Sequence, residues 1–468
     1  MKFLIALIFL TSTAIAQDPC NCKKEFENLV KKVESTYPGY RHKITSAASA
    51  DYNQFVDSLK QLAPGKTMYD CYAVLKAYTS YFKDGHLQVY EFPNPSEGEK
   101  IKLAKAAITY NISESFARKY LNQIKNLDKA EGIWQNEDYC IAIIKSAIEG
   151  EFTGTILSSK NANWKQGQLK LILRKKDNHY EAIYYRGDHA ALRMDASVSK
   201  NVLLNIGSFG WVKTFPVYAE LKYHVADNPS LPTFTSLSGA TNLLVIPNFQ
   251  IPQQLFDSVL LANFISLTIK PYLIIDIRGN IGGNFIYYHL LSLLNNGPMV
   301  SDKAKVLASD ENIQYTAELV KNAVENNGEA DSSLLAFKQM MEEAKGKEID
   351  YPGFPPITFD SVFSAIKKVY IITDHANISA VEAFLLYAKQ SGKVTQVGEA
   401  TGGTIDYQQV RAIPIGCKGS TYHLYYPTYY RAGLPANAIN TSGIIPEIIM
   451  DVWDENMLEK VKIKIETK

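Results

Sequence analysis

Beyond residue 16 the sequence has no apolar run near the roughly 20 residues that a membrane-spanning helix needs, which excludes a later helical anchor of that kind. It also lacks a basic block. Its 49 Lys and Arg are offset by 48 Asp and Glu, a formal charge of +1, so nothing points to nucleic acid or to an anionic membrane surface. Cysteine is scarce: Cys20, Cys22, Cys71, Cys140 and Cys417 are five, and an odd number leaves at least one thiol unpaired. Cys20-x-Cys22 is too short and too isolated for a zinc site. What remains is ordinary for a soluble globular protein, 46% hydrophobic and 21% charged, and 468 residues suffice for two or three domains.

Residues 1–16 read as a secretory signal peptide, with Lys2 as the positive region, Phe3–Leu10 as the apolar core and Ala14-Ile15-Ala16 as the cleavage site. Export (periplasmic or extracellular) is therefore expected, and export permits disulfides. Residues 17–127 read as a helical region. Phe26, Leu29, Val30 and Val33 recur at helical spacing, as do Tyr52, Phe55, Val56 and Leu59, and a third helix is expected over Met68–Phe82. Residues 128–215 change to short β-rich runs (Tyr139–Ile144, Phe152–Leu157, Leu169–Leu173, Tyr180–Tyr185, Asn201–Ile206). Turns are expected at Asp177-Asn178 and at Arg186-Gly187-Asp188, which suggests a small antiparallel barrel or sandwich. Residues 235–468 carry an α/β pattern, with a strand over Leu243–Ile246, an apolar helix over Leu255–Leu267, and strands at Val369–Thr373 and Val394–Val397. A charged helical insertion, 310–350, is placed where it could cover a site. The chain is thus α/β within a multi-domain α+β whole.

Two stretches of the α/β part carry chemistry. In Tyr272–Asn284, an apolar β-branched run, Leu273–Ile277, suits a strand buried on both faces and stops at Arg278-Gly279-Asn280-Ile281-Gly282-Gly283. A glycine-rich turn after such a strand offers backbone N–H groups to an anion or to a developing oxyanion. The second stretch, His375–Gly403, contains Ser379-Ala380-Val381-Glu382 and Gly398-Glu399-Ala400-Thr401-Gly402-Gly403. Taken together, Asp276–Gly283, Ser379–Glu382 and Gly398–Gly403 resemble the motifs of the carboxy-terminal-processing (tail-specific) and tricorn-type serine peptidases, a superfamily that also has a retinoid-binding branch. The resemblance covers about the last half of the chain and implies a crotonase-like (ClpP-type) fold. The carboxylate-binding loop of a PDZ module, which relatives often carry mid-chain, is not found.

The resemblance implies Ser379 as nucleophile, with Gly282 or Gly283 and Ala380 as oxyanion donors. Ser-x-x-Glu is also the pattern of a helix capping box, and both roles are compatible. Thr404 stands where one branch of the family places a lysine base, so a lysine there is excluded. The other branch takes a histidine from the N-terminal part, and Asp84-Gly85-His86 resembles that position. A neutral imidazole suits proton abstraction near pH 7. His375, four residues before Ser379, is the rival. The glutamate and serine that support the histidine in tricorn-like relatives fall at Asn440 and Gly85, so that relay is not reproduced, and Asn440, Asp84, Asp406 or water is left to orient His86. Asp276 and Arg278 read as structural partners. Tyr422, Tyr425, Tyr426, Tyr429 and Tyr430 read either as a peptide-binding wall or as plain strand composition. The expectation is an exported serine endopeptidase acting on peptides or unfolded proteins with no metal or organic cofactor. The alternative is a weak relative that binds peptides or apolar ligands. An acyl-CoA enzyme of the same fold fits less well, since it needs neither Ser379 nor the Gly398–Gly403 turn.

Overall fold

The computed structural model describes the chain except residues 1–19, 67, 94, 137, 177–178, 200, 202, 208, 217–230, 354, 361, 417–419, 441, 453, 455 and 468. The signal segment, the Asp177-Asn178 turn and Cys417 lie outside the described residues.

The N-terminal part opens with helices α1 (Cys22–Thr36), α2 (Pro38–Lys43), α3 (Ser49–Leu62) and α4 (Met68–Ser80), followed by strand β1 (Gln88–Glu91) and helices α5 (Glu97–Ala106) and α6 (Glu114–Gln123). Phe26, Leu29 and Val33 of α1 and Tyr52 and Leu59 of α3 are buried together, as their spacing requires. A Cys22–Cys71 disulfide ties α1 to α4, and Cys140 is a free thiol. Eight strands then close into an antiparallel barrel: β2 (Gly132–Gln135), β3 (Tyr139–Lys145), β4 (Glu151–Ser159), β5 (Leu169–Lys176), β6 (His179–Tyr185), β7 (Ala191–Ser199), β8 (Leu203–Ile206) and β9 (Phe209–Phe215). Closure removes the exposed edges of a small sheet. Trp134, Phe152, Trp211 and the fully buried Lys170 fill the barrel, the lysine ammonium lying 3.9 Å from the Tyr139 ring centre and 4.3 Å from that of Trp164.

The C-terminal half runs β10 (Thr233–Ser236), β11 (Thr241–Val245), α7 (Gln253–Ala262), α8 (Phe264–Ile269), β12 (Tyr272–Asp276), α9 (Tyr288–Leu294), β13 (Ala304–Leu307), α10 (Asp310–Asn327), α11 (Ser332–Glu343), β14 (Glu348–Asp350), β15 (Lys368–Thr373), α12 (Ala380–Ala388), β16 (Val394–Gly398), β17 (Tyr407–Pro414), β18 (Tyr422–Arg431), β19 (Ile448–Ile449) and α13 (Met457–Thr467). The single helix expected over Leu255–Leu267 is broken at Asn263 into α7 and α8.

A six-stranded sheet, in the order β10-β11-β12-β15-β16-β19, is parallel except for β10. Leu273, Ile275 and Ile277 face α7, α9 and α12 on one side, and Ile274 faces α13 on the other, so the run is apolar throughout because both faces are covered. Asp276 pairs with Ile372, which sets the loops after β12 and β15 side by side at the carboxyl edge.

A second, antiparallel sheet is centred on β18. Strand β17 lies along one edge of it; β1 and β13 share the other. The N-terminal helices pack on one face, burying Tyr422, Tyr426 and Tyr430, while Tyr425 stacks on Phe92 and Tyr429 packs against Tyr351 on the other. The tyrosine run is therefore strand alternation, with rings on both faces of a packed sheet. The 310–350 insertion buttresses this sheet through Tyr426 to Asn312 and Arg411 to Glu318.

Candidate active site

Two backbone loops build the floor of the site. Asn377, fully buried, donates from Nδ2 to the carbonyls of Ile277 (2.6 Å) and Asn280 (3.0 Å), and Asp374 accepts from Gly279 N–H (3.0 Å). The loop bearing Ser379 is thereby fastened to the glycine loop. Burial raises the Asp374 carboxyl to about 6. Asp276 and Arg278 form a buried bidentate pair beneath, a structural role.

Ser379 occupies the turn from β15 into α12 with φ +58° and ψ −118°, a strained backbone for a residue with a Cβ. The same strained strand-to-helix turn exposes the nucleophile in hydrolases of other folds. Its amide is held twice, by Thr404 Oγ1 (2.9 Å) and by Glu382 Oε2 (3.2 Å). Glu382 is fully buried, and its carboxylate also accepts from Thr401 Oγ1 (2.6 Å), Gly403 N–H (2.9 Å) and Thr404 N–H (2.8 Å). The Ser-x-x-Glu spacing thus serves to bolt the Gly398–Gly403 turn to the start of α12.

His86 arrives from the other end of the chain. Strand β1 pairs with β18 from Gln88 opposite Tyr425, and β18 in turn carries β17, so the loop before β1 is delivered to the start of β17. There His86 Nε2 lies 3.1 Å from Ser379 Oγ, and Nδ1 lies 2.6 Å from the Tyr407 carbonyl oxygen. A carbonyl only accepts, so Nδ1 carries the proton and Nε2 presents its lone pair to the serine hydroxyl. The His86 amide donates to Asp84 Oδ1 (3.0 Å), and Tyr37 donates to the other oxygen (2.7 Å). Burial raises the Asp84 carboxyl, an effect partly offset by nearby His86.

The residues expected to orient the imidazole do so at one remove. Asn440 Oδ1 accepts from Asp406 N–H (2.9 Å) and Asn440 N–H donates to Asp406 Oδ2 (2.8 Å). Asp406 is buried and paired with Arg431 (3.1 Å). Together they pin the entry into β17, whose next residue supplies the Tyr407 carbonyl. Among the described residues no carboxylate bonds the His86 ring. His375 is exposed and makes no hydrogen bond to Ser379.

Of the two glycines, Gly282 N–H is taken by Asn280 Oδ1 (2.9 Å), which removes it as a donor to an incoming oxygen. Gly282 is needed for shape instead: at φ +89° a Cβ there would stand 2.8 Å from the Ile378 carbonyl and 2.9 Å from the Ala380 amide. The Gly283 and Ala380 amides have no acceptor among the described residues. Sequence reasoning missed three contributors: Asn377, the hydroxyl of Thr404 and the Tyr407 carbonyl. The first two stand inside or beside the recognised motifs, whereas a backbone carbonyl leaves no trace in residue types. No group of three or more His, Cys, Asp or Glu suited to a metal occurs among the described residues.

A search of curated protein sequences gave no match. Among solved structures, mature CPAF complexed with lactacystin superposes with a TM-score of 0.51 at 14% identity, covering 95% of this chain and 98% of that one, which shows a shared fold. The photosystem II D1 C-terminal processing protease gives 0.38 at 11% identity, with coverage of 92% and 94%. The sequence model of peptidase family S41 matches residues 242–450, the span that holds the glycine loop, Ser379 and Glu382. Over residues 242–450 the α/β unit of this chain is thus similar to peptidase family S41.

Proposed function

We propose that the chain is an exported serine endopeptidase of peptides or unfolded proteins, with Ser379 as nucleophile and His86 as general base. The observation that carries the assignment is the run Tyr407 carbonyl, His86 Nδ1, His86 Nε2 and Ser379 Oγ, at 2.6 and 3.1 Å. As Oγ attacks the scissile carbonyl, its proton passes to Nε2. The charge on the carbonyl oxygen falls between the Gly283 and Ala380 amides, at the N-terminus of α12. The imidazolium then protonates the leaving amine, and water repeats the sequence on the acyl-enzyme. In place of the carboxylate of a Ser-His-Asp triad, a neutral carbonyl fixes the tautomer. Stacked α/β/α layers and the family relation support a crotonase-like arrangement of residues 235–468. The signal-like segment and the Cys22–Cys71 disulfide support export.

A fluorophosphonate should label Ser379, and Ser379→Ala and His86→Ala should each abolish cleavage of an unfolded protein. Undiminished cleavage in both variants would overturn the assignment. The second reading, a relative that only binds peptides or apolar ligands, draws on the absence, among the described residues, of a carboxylate bonded to the His86 ring. It requires that the probe leave Ser379 unlabelled.

A further inference from the structure

Strand β17 pairs only with β18 among the described residues, so its other edge carries no strand. That edge starts at the catalytic pair. Asp406 O accepts from Arg431 N–H (2.9 Å) and so points toward β18, while the Tyr407 carbonyl points the other way, to His86. Farther along, the phase of the ladder changes at Gln409, whose φ is +58° and whose carbonyl is held by Thr428 Oγ1 (2.9 Å).

Three independent features fix which groups face outward past that point. Ile415 N–H donates to Tyr422 O (3.2 Å), so Ile415 faces β18, and alternation turns Pro414, Ala412 and Val410 outward. Position 414 is a proline, tolerated in a strand where the missing N–H would have pointed away from the sheet. Val410 stands opposite Pro427, which has no N–H to give to the Val410 carbonyl. The edge therefore presents N–H and C=O of Val410, N–H and C=O of Ala412, and C=O of Pro414. Val410, Ala412 and Pro414 are all exposed.

We propose that the substrate docks as an added strand on this outer edge of β17, main chain to main chain. This rests on the serine-peptidase reading above and specifies what the site accepts. Val410 and Ala412 lie three and five residues past Tyr407, about 10–17 Å at ~3.3 Å per residue, so the substrate pairs three to five residues to one side of the scissile bond. Recognition through backbone groups is blind to most side chains. The substrate class is then any segment that can be drawn out straight, hence locally unfolded protein. Proline is excluded at every second position on that side, where an N–H must be donated to Val410 O or Ala412 O.

The experiment uses a cleavable peptide in which a single backbone amide is N-methylated, one position at a time. With the full-length enzyme, kcat/KM should fall about tenfold or more at alternate positions on one side of the scissile bond and change little in between, each lost hydrogen bond being of that order. Ala412→Pro removes an outward N–H without touching the β17–β18 ladder. It should lower kcat/KM for the unmodified peptide by a similar factor while leaving fluorophosphonate labelling of Ser379 at the wild-type rate. A flat N-methyl series on a labelling-competent enzyme overturns strand docking and leaves the peptidase reading standing; wild-type enzyme that is not labelled at all overturns the latter. Should Ala412→Pro lose labelling, the variant is disrupted and the N-methyl series on the wild type decides.

Discussion

Thr404 offers the sharpest perturbation. Its hydroxyl accepts the Ser379 amide at 2.9 Å and lies 3.3 Å from Glu382 Oε2, to which it donates. Valine keeps the shape and deletes both bonds. A non-glycine residue held at positive φ stores about 1–3 kcal/mol, and a buried hydrogen bond contributes about 0.5–1.5 kcal/mol net. Removing one of the two clamps on that amide should therefore raise the barrier to attack by about 1–1.5 kcal/mol, or roughly tenfold in rate. Because the elbow moves and not the substrate cleft, the loss should fall on kcat and on the labelling rate with a fluorophosphonate, leaving KM nearly constant. Thr404→Ser retains the hydroxyl and should keep most activity. It also tests a second contact: a Cβ at position 85 would lie 2.8 Å from Thr404 Cγ2. Gly85→Ala should impair the enzyme alone, since overpacking costs about 1–3 kcal/mol, and Thr404→Ser in the same chain should relieve it. Equal activity in Thr404→Val and wild type would refute the clamp, and additivity of Gly85→Ala and Thr404→Ser would refute the second contact.

Gly282→Ala should abolish labelling of Ser379, because the new Cβ meets the Ile378 carbonyl and Ala380 amide at a φ of +89°; labelling at the wild-type rate would show that the loop yields. Replacing both Cys22 and Cys71 by Ala opens a link with a sequence separation of 49, for which loop-closure entropy gives about 4 kcal/mol as an upper figure. Denaturant unfolding should show a loss of about 2–4 kcal/mol. Asp374 has its folded carboxyl raised to about 6 from 3.8. Its contribution is complete below the unfolded value and is lost as pH rises through the folded one, so stability should fall by about 2 kcal/mol from this group between pH 4 and 6.5. Asp374→Asn loses a bond to Gly279 but also that slope, and the gap between variant and wild type should narrow across the window.

How much of this was legible in the sequence depended on whether the information was local. Leu273–Ile277 announces a buried strand because every residue in it faces a covered surface. Ser379 and Glu382 could be singled out because one turn of helix joins them. The break at Asn263 was hidden in an apolar pattern that two helices share. Whether the β-rich segment was barrel or sandwich could not be read either, since closure depends on β2 meeting β9, some 80 residues apart. The support for His86 was illegible for a different reason: Asn440 and Asp84 were sought as side chains on the ring, and the group that bonds it is the Tyr407 backbone, fixed in place by Asp406 and Asn440.

The pairing of β1 with β18 carries a consequence for timing. His86 has no fixed address until residues 422–425 are present to receive the strand that follows it, and its acceptor at Tyr407 hangs from the same ladder. A ribosome that has already released Ser379 must add about fifty more residues before the proton has anywhere to go. On the proposed reading, a nascent chain that stops short of residues 422–425 holds Ser379 with no base beside it, so hydrolysis awaits the closing segment of the chain.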